Sequence, residues 1–275
     1  MIIDAHQHFW KPGRGDYGWL TPELGALYRD FLPPDLKPLL DSCGVEKTIL
    51  VQAAPTRAET DFMLSLAREN DFIAGVVGWV DFEAADVVAQ ISAMSGDHLL
   101  VGLRPMIQDI PEVDWILRPE NEAAFHAMAN HHLVFDALVL PVHLENLLSV
   151  VKNFPDLSVV IDHAAKPPIR GTIPRSWFED IDALSQPGNV TCKLSGLITE
   201  ASSNWTPEDL RPVIDHLLAT FGPERLIWGS DWPVVNFAGD YKQWFEVATE
   251  SLSTLTEIEK SAIFGNNAAR IYLSS

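Results

Sequence analysis

Residues 47–82 of the chain read KTILVQAAPTRAETDFMLSLARENDFIAGVVGWVDF. The runs 47–54 and 73–82 are short, apolar and rich in β-branched residues, and the segment 57–69 between them has helical periodicity. Two apolar strands joined by a helix are typical of a parallel pair with a right-handed crossover. This unit therefore predicts an α/β fold.

The same alternation continues along the whole chain. Six further strand-like runs lie at 2–9, 99–106, 133–140, 158–163, 189–196 and 225–233, and the other helical segments lie at 36–43, 84–94, 120–130, 144–152, 177–184 and 206–221. Eight strands are the number that closes a (β/α)8 TIM barrel, and 275 residues suit one such barrel. An open doubly wound sheet is the alternative. No repeat or linker interrupts the pattern, so we expect a single domain over 1–275.

The composition excludes several classes of partner. The chain has 19 Lys and Arg against 38 Asp and Glu, a formal net charge of −19. Such a surface repels polyphosphate and anionic lipid, so we expect neither nucleic acid nor a membrane as a partner. The two cysteines, Cys43 and Cys192, form no C-x-x-C motif. Together with an N-terminus that enters a strand directly, this predicts a cytoplasmic protein.

Three titratable side chains are predicted to meet where the first and last strands end. His6 and His8 alternate onto one face of the first strand, and Asp231 lies near the end of the eighth. The eighth strand of a barrel neighbours the first, and barrel sites are built at the carboxyl ends of strands. This grouping can bind a divalent ion or accept a proton from water. The alternatives are histidines that satisfy local hydrogen bonds and an aspartate that caps a turn.

The sixth strand is predicted to add a third imidazole. Alternation would point Val159, Ile161 and His163 into the barrel. Lys166 follows three residues later and could supply a positive charge to a substrate carbonyl or carboxylate, or be an ordinary exposed lysine.

Other strand ends and the long loops 10–34, 105–120 and 164–175 provide further substrate-binding candidates. The fork of Arg104 suits a carboxylate or a polarised carbonyl, and Asp136, inside an apolar strand, needs a partner in the site or in the core. Indole faces pack on sugar rings or in ordinary cores. The remaining candidates are Gln52, Trp79, Ser195 and Trp232, with Lys193 on the same strand face as Ser195.

Five segments carry a resemblance to a known family. They are DAHQHFW at 4–10, DH at 162–163, KLSGL at 193–197, WGSDWP at 228–233 and GNNAARIY at 265–272. Together they resemble the amidohydrolase superfamily, of the amidohydrolase 2 type, over nearly the whole chain. Within it the chain is similar to the TIM-barrel sugar lactonases, such as the hydrolases of L-fuconolactone and L-rhamnonolactone, and to pyrone-dicarboxylate lactonase.

The resemblance implies hydrolysis of a sugar lactone at a site formed by His6, His8, His163 and Asp231, with one divalent metal ion, Zn²⁺ first, or none. Many amidohydrolases bridge two metal ions with a modified lysine and also use two later histidines. This chain offers one later histidine and has Arg104 at an intervening strand end, so a binuclear centre is not expected.

The expected reaction is lactone opening, in which Asp231 takes the proton of the attacking water and the histidines orient that water or polarise the carbonyl. Two other functions stay open: a metal-dependent decarboxylase of an aromatic or unsaturated acid, and a non-catalytic sugar-binding barrel. A homo-oligomer is also left open.

Overall fold

The computed structural model describes residues 1–274 and confirms the (β/α)8 barrel. Eight parallel strands pair in chain order, each with the next. They are β1 (Ile3–Gln7), β2 (Lys47–Val51), β3 (Ile73–Gly78), β4 (Leu100–Leu103), β5 (Val134–Ala137), β6 (Val159–Ile161), β7 (Val190–Leu194) and β8 (Leu226–Trp228). The seam between β1 and β8 is joined by a parallel bridge from Gln7 to Trp232 and by a 2.8 Å bond from Asp231 N to His6 O. The doubly wound alternative is therefore wrong.

Helices pack around the strands close to where the periodicity predicts them. They are α1 (Pro33–Cys43), α2 (Arg57–Glu69), α3 (Val87–Met94), α4 (Pro119–Asn130), α5 (Leu144–Asn153), α6 (Arg175–Leu184), α7 (Leu197–Glu200), α8 (Pro207–Phe221), α9 (Tyr241–Ser251), α10 (Glu257–Ser261) and α11 (Asn267–Tyr272). The short α7 and the three helices after β8 were not predicted. None of the helices in residues 1–274 is long and apolar enough to cross a bilayer.

The barrel interior is apolar in its lower part and polar towards its carboxyl-terminal mouth. Its apolar cluster includes Ile49, Val77 and Val134 from the strands and Tyr272 from α11. Tyr272 is 1% exposed, and its hydroxyl reaches Asp136 on β5. The C-terminal helix thus closes the lower end of the barrel and contacts the polar layer above it.

An irregularity in β1 aims its histidines into the barrel. Ile3 and Ala5 belong to the interior cluster, and the pairing of β1 with β2 shifts register between Asp4 and Gln7. The Asp4 carboxylate accepts hydrogen bonds from Ser230 N at 2.8 Å, from His6 N at 3.2 Å and from the Tyr241 hydroxyl at 3.1 Å. Asp4 therefore ties β1 to the segment after β8. A register shift of this kind changes the side-chain direction that simple alternation predicts.

The alternation predicted for β6 is wrong. Val160 packs in the interior cluster, whereas Val159 and Ile161 pack in the cluster that the surrounding helices share. After Ile161 the chain enters a turn in which residues 163–166 all have φ between 52° and 58°. We term this segment the left-handed turn. Left-handed backbone costs non-glycine residues about 1–2 kcal/mol each. Burial of Ala164, whose carbonyl accepts a 2.9 Å bond from Trp177 Nε1, holds the turn, and the turn brings His163 to the mouth.

Candidate metal and active site

The four residues predicted for the site do meet at the barrel mouth. His6 Nε2 and His8 Nε2 are 3.2 Å apart. One carboxylate oxygen of Asp231, Oδ1, lies 3.3 Å from His8 Nε2, 3.7 Å from His6 Nε2 and 3.9 Å from His163 Nε2. All four side chains are buried. The imidazole nitrogens of His6, His8 and His163 thus surround one carboxylate oxygen, and the ligand atoms of His6, His163 and Asp231 all lie within 4.8 Å of one another.

The spacing of these atoms fits one small divalent ion. Ligands about 2.1 Å from a tetrahedral Zn²⁺ are about 3.4 Å from one another, and the imidazole nitrogens lie 3.3, 3.7 and 3.9 Å from Asp231 Oδ1. His8 Nδ1 lies 2.7 Å from the carbonyl oxygen of Val51, which can only accept. His8 therefore carries its proton on Nδ1, and its Nε2 lone pair points into the group.

Burial sets the protonation of the site. It lowers the pKa of His6 well below the usual value and that of His163 to about 4. Burial alone would raise the pKa of Asp231, but His163, His8 and His6 outweigh it and hold that pKa below the usual range. Neutral imidazoles and an ionised carboxylate are the forms that bind a metal ion.

Two predicted substrate-binding residues, Arg104 and Gln52, are bonded mainly to each other. The Arg104 guanidinium donates through Nη2 to the backbone oxygen of Gln52 and, at 3.2 Å, to its Oε1. The Gln52 amide donates back to Arg104 O at 2.9 Å. Arg104 Nη1 also donates to Asp162 Oδ2 at 3.0 Å. Arg104 still forms part of the pocket wall, whereas Gln52 is 0% exposed.

Asp162 is a site residue that the sequence analysis missed. Its carboxylate lies 3.3 Å from His6 Nδ1 and 3.0 Å from the ammonium of Lys193. Burial raises its pKa, but Lys193, His6 and Arg104 together bring that pKa well below the usual value. Asp162 immediately follows the last residue of β6. Because Val160 faces the barrel interior, alternation points Asp162, two residues later, inward as well.

Asp136 has the partners that its place in an apolar strand requires. It accepts from Lys193 Nζ at 2.5 Å and from the Tyr272 hydroxyl at 2.6 Å. Asp136 and Lys193 are both 0% exposed, so neither lines the cavity above. The structure places Asp136 beneath the four-residue group, where it supports the group through Lys193.

A cavity of about 230 Å³ opens above the four-residue group. It is lined by His8, Trp19, Ala53, Arg104, Met106, Gln108, Asp109, Leu138, His163, Lys166, Asp231, Val234 and Phe237. Lys166, predicted from sequence, is half-buried in this wall, and within residues 1–274 no carboxylate lies within ion-pair distance of its ammonium. This cavity, which we term the mouth pocket, therefore combines titratable groups, an unpaired cation and an apolar side.

Besides Gln52 and Asp136, three more predicted residues lie outside the mouth pocket. Trp79 lines a neighbouring cavity of about 550 Å³ that shares Trp19, Met106 and Asp109 with it. Trp232 is 2% exposed and packs edge-on against aromatic rings, including Phe31 at 5.3 Å. Ser195 is 0% exposed, and its hydroxyl is 2.8 Å from His163 Nδ1. Ser195 thus orients a site residue instead of facing the cavity.

Gly196 controls the position of His163. A Cβ at Gly196 would lie 2.5 Å from His163 Nδ1, and the backbone there has φ +62°. We expect Gly196→Ala to displace His163 from Ser195 and to weaken zinc binding about 10- to 100-fold, the usual effect of losing a partner behind a metal ligand. Zinc titration of the purified variant measures this.

Gly44→Ala is the matched control, because Gly44 has φ +67° and a methyl group there would have no atom of another residue within 4 Å. It should lose stability through backbone strain but retain wild-type zinc affinity. Unchanged zinc affinity in Gly196→Ala would contradict the role given to this glycine.

Comparison with known proteins places the chain among characterised relatives. A sequence model of the family described as amidohydrolase matches residues 3–273. The L-fucono-1,5-lactonase of Burkholderia ambifaria is 44% identical over 98% of this chain and 94% of its own length. The L-fucono-1,5-lactonase of Burkholderia multivorans is 36% identical over 99% of this chain and 96% of its own.

Solved structures agree with the sequence comparisons. The crystal structure of an amidohydrolase from Burkholderia multivorans with bound zinc is 33% identical, covers 99% of both chains and superposes with a TM-score of 0.94. A 5-carboxyvanillate decarboxylase from Sphingomonas paucimobilis is 17% identical over 98% of both chains with a TM-score of 0.69, a likeness of fold alone.

Proposed function

The chain belongs to the amidohydrolase family, and from that premise we propose that it is a hydrolase that opens a sugar-derived lactone to the sugar acid. The observation that carries the proposal is the convergence of His6, His8, His163 and Asp231 at the floor of a small pocket. The two L-fucono-1,5-lactonases support an aldonolactone, with L-fucono-1,5-lactone as the first substrate to test.

Asp231 is the proposed proton carrier. Its ionised carboxylate takes a proton from the water that attacks the lactone carbonyl, and it returns the proton to the ring oxygen as the C–O bond breaks. One carboxylate fits both steps because its Oδ1 lies at the pocket floor within 3.9 Å of three imidazole nitrogens.

His6, His8, His163 and Asp231 would hold a divalent ion, Zn²⁺ first. When bound, such an ion polarises a carbonyl and lowers the pKa of water. His8 and His163 keep their Nε2 atoms directed at the site through bonds from Nδ1 to Val51 O and Ser195 Oγ. The structure of the zinc-bound relative supports this choice of ion.

Lys166 is the proposed stabiliser of the oxyanion. Its ammonium is in the pocket wall and has no ion-pair partner within residues 1–274, whereas the guanidinium of Arg104 is committed to Asp162 and Gln52. A donor aimed at a developing oxyanion contributes about 3–4 kcal/mol. We therefore assign direct substrate contact to Lys166 and a positioning role to Arg104.

The pocket favours a single deoxy-sugar ring. Its volume of about 230 Å³ is below the roughly 300–1,000 Å³ of pockets for larger ligands. Leu138, Val234 and Phe237 give it an apolar side that suits the C6 methyl group of a 6-deoxy sugar such as L-fucose.

A panel of aldonolactones, followed by proton release to a pH indicator, tests the proposal. We expect turnover of L-fucono-1,5-lactone, and a kcat/KM about 10- to 100-fold lower for L-galactono-1,5-lactone, which differs by one hydroxyl group that would meet the apolar side. Chelation followed by zinc addition shows whether the ion is needed.

Two outcomes would contradict the proposed function. The first is zinc-dependent loss of the ultraviolet absorbance of an aromatic acid without lactone opening, which indicates a decarboxylase. The second is thermal stabilisation by lactones without turnover of any, which indicates a binding protein.

A further inference from the structure

Two clusters of potential metal ligands share His6. Within residues 1–274, the ligand atoms of His6, His163 and Asp231 lie within 4.8 Å of one another, and so do those of His6, Asp136 and Asp162. The first cluster opens on the mouth pocket. The second, which we term the lower cluster, lies deeper in the barrel, and its three side chains are all 0% exposed.

The lower cluster already surrounds a cation, the ammonium of Lys193. Lys193 Nζ is 2.5 Å from Asp136 Oδ2, 3.0 Å from Asp162 Oδ1 and 3.3 Å from His6 Nδ1. It thus contacts one atom of each of the three potential ligands. Lys193 belongs to β7 and is itself 0% exposed, and its ammonium lies 5.3 Å from the centre of the Tyr272 ring, so it does not contact solvent.

The charges of the two carboxylates in the lower cluster and of the cations that contact them balance only when Lys193 is counted. Asp136 and Asp162 carry two negative charges, and Lys193 and Arg104 carry two positive ones in direct contact with them. Removal of a single partner from a buried ion network leaves an uncompensated charge, which is strongly unfavourable. Without Lys193, two carboxylates and one imidazole would face a cavity of the size of an ammonium.

We propose that Lys193 is a fixed internal cation that fills the lower cluster and so limits the centre to one exchangeable metal ion. This rests on the single-metal site of the proposed function. The ammonium of Lys193 contacts the same three ligands that a metal ion would, but it cannot dissociate and supplies no open coordination position for water. Reaction of water is thereby confined to the upper cluster, where the pocket is.

Metal stoichiometry of Lys193→Ala tests the proposal. Wild type and variant are dialysed against excess zinc and then against zinc-free buffer, and bound zinc is counted by mass spectrometry of the metal. We expect the variant to bind one zinc ion more per chain than the wild type. Isothermal titration should show the same additional equivalent.

Two control variants share the scaffold. Tyr272→Phe removes the hydroxyl that donates to Asp136 but keeps the ammonium, so its zinc stoichiometry should equal the wild-type value. The double variant Lys193→Ala with Asp136→Asn restores the charge balance and removes one ligand, so the additional equivalent should disappear.

The outcomes are decisive whether or not the single variant folds alone. A folded Lys193→Ala chain with wild-type stoichiometry overturns the proposal. If the variant folds only when zinc is added, as judged by circular dichroism, the proposal is supported. If it stays unfolded with zinc while the charge-balanced double variant folds, the proposal is overturned. The measured quantity is a difference in bound zinc and does not depend on activity. Absence of lactone turnover would therefore contradict the proposed function without contradicting the role of Lys193.

Discussion

Asp231→Asn is expected to reduce kcat/KM for lactone hydrolysis by about 10³- to 10⁴-fold while the protein remains folded. General acid–base catalysis by a positioned side chain contributes about 10²- to 10⁴-fold, and the carboxylate also faces the three imidazoles that would hold the ion. Asparagine has the same shape, so the backbone bond from residue 231 to His6 O that joins the barrel seam is retained. The amide cannot accept the proton of water.

The measurement is proton release from L-fucono-1,5-lactone at saturating zinc, together with circular dichroism of the variant. Asp61→Asn makes the same chemical change at an exposed position on α2, where the carboxylate contacts Arg57, and should keep wild-type activity. If Asp231→Asn retained more than a tenth of the wild-type kcat/KM, another group would have to carry the proton.

The sequence was sufficient to predict the barrel and the four-residue group because both depend on topology. Period-two alternation predicts that His6 and His8 share a face, and the register shift in β1 turns that face into the barrel. Asp231 joins them because the eighth strand of a closed barrel neighbours the first. His163 was predicted for a wrong reason. Alternation with Val159 and Ile161 would point His163 away from the barrel interior. His163 reaches the mouth because the backbone turns left-handed there, and a sequence without glycine at these positions does not reveal such a turn.

The support beneath the site could not be predicted, because it arises from residues far apart in sequence. Gln52 directly follows β2, Arg104 directly follows β4 and Asp162 directly follows β6. Gln52 and Asp162 both contact Arg104. Interior layers of a TIM barrel are contributed by alternate strands. In most barrels such a layer is apolar, whereas here it is an ion network. The order of the strands predicts which residues form this layer, but only the structure shows which polar atoms pair within it.

Arg104→Met gives the second large effect, and it separates positioning from substrate binding. Loss of the guanidinium removes the hydrogen bonds that Asp162 Oδ2 and the backbone oxygen of Gln52 accept inside the barrel, and Lys193 remains beside the other carboxylate oxygen of Asp162. Breaking a buried ion pair by removing one partner costs about 3–5 kcal/mol. We expect the free energy of unfolding to fall by about that amount, measured by urea denaturation, and lactone hydrolysis to fall with it.

Comparison with two other variants identifies the cause. Arg104→Lys keeps the charge, but a single ammonium cannot reproduce the forked contact with Asp162 and Gln52, so most of the stability should still be lost. Pairing Arg104→Met with Asp162→Asn also removes the carboxylate that lost its guanidinium partner, and the double variant should be more stable than the sum of the single losses predicts. If Arg104 instead bound substrate directly, Arg104→Met would unfold like the wild type and differ only in an increased KM. That result would return Arg104 to the substrate-binding role that its position at a strand end first indicated.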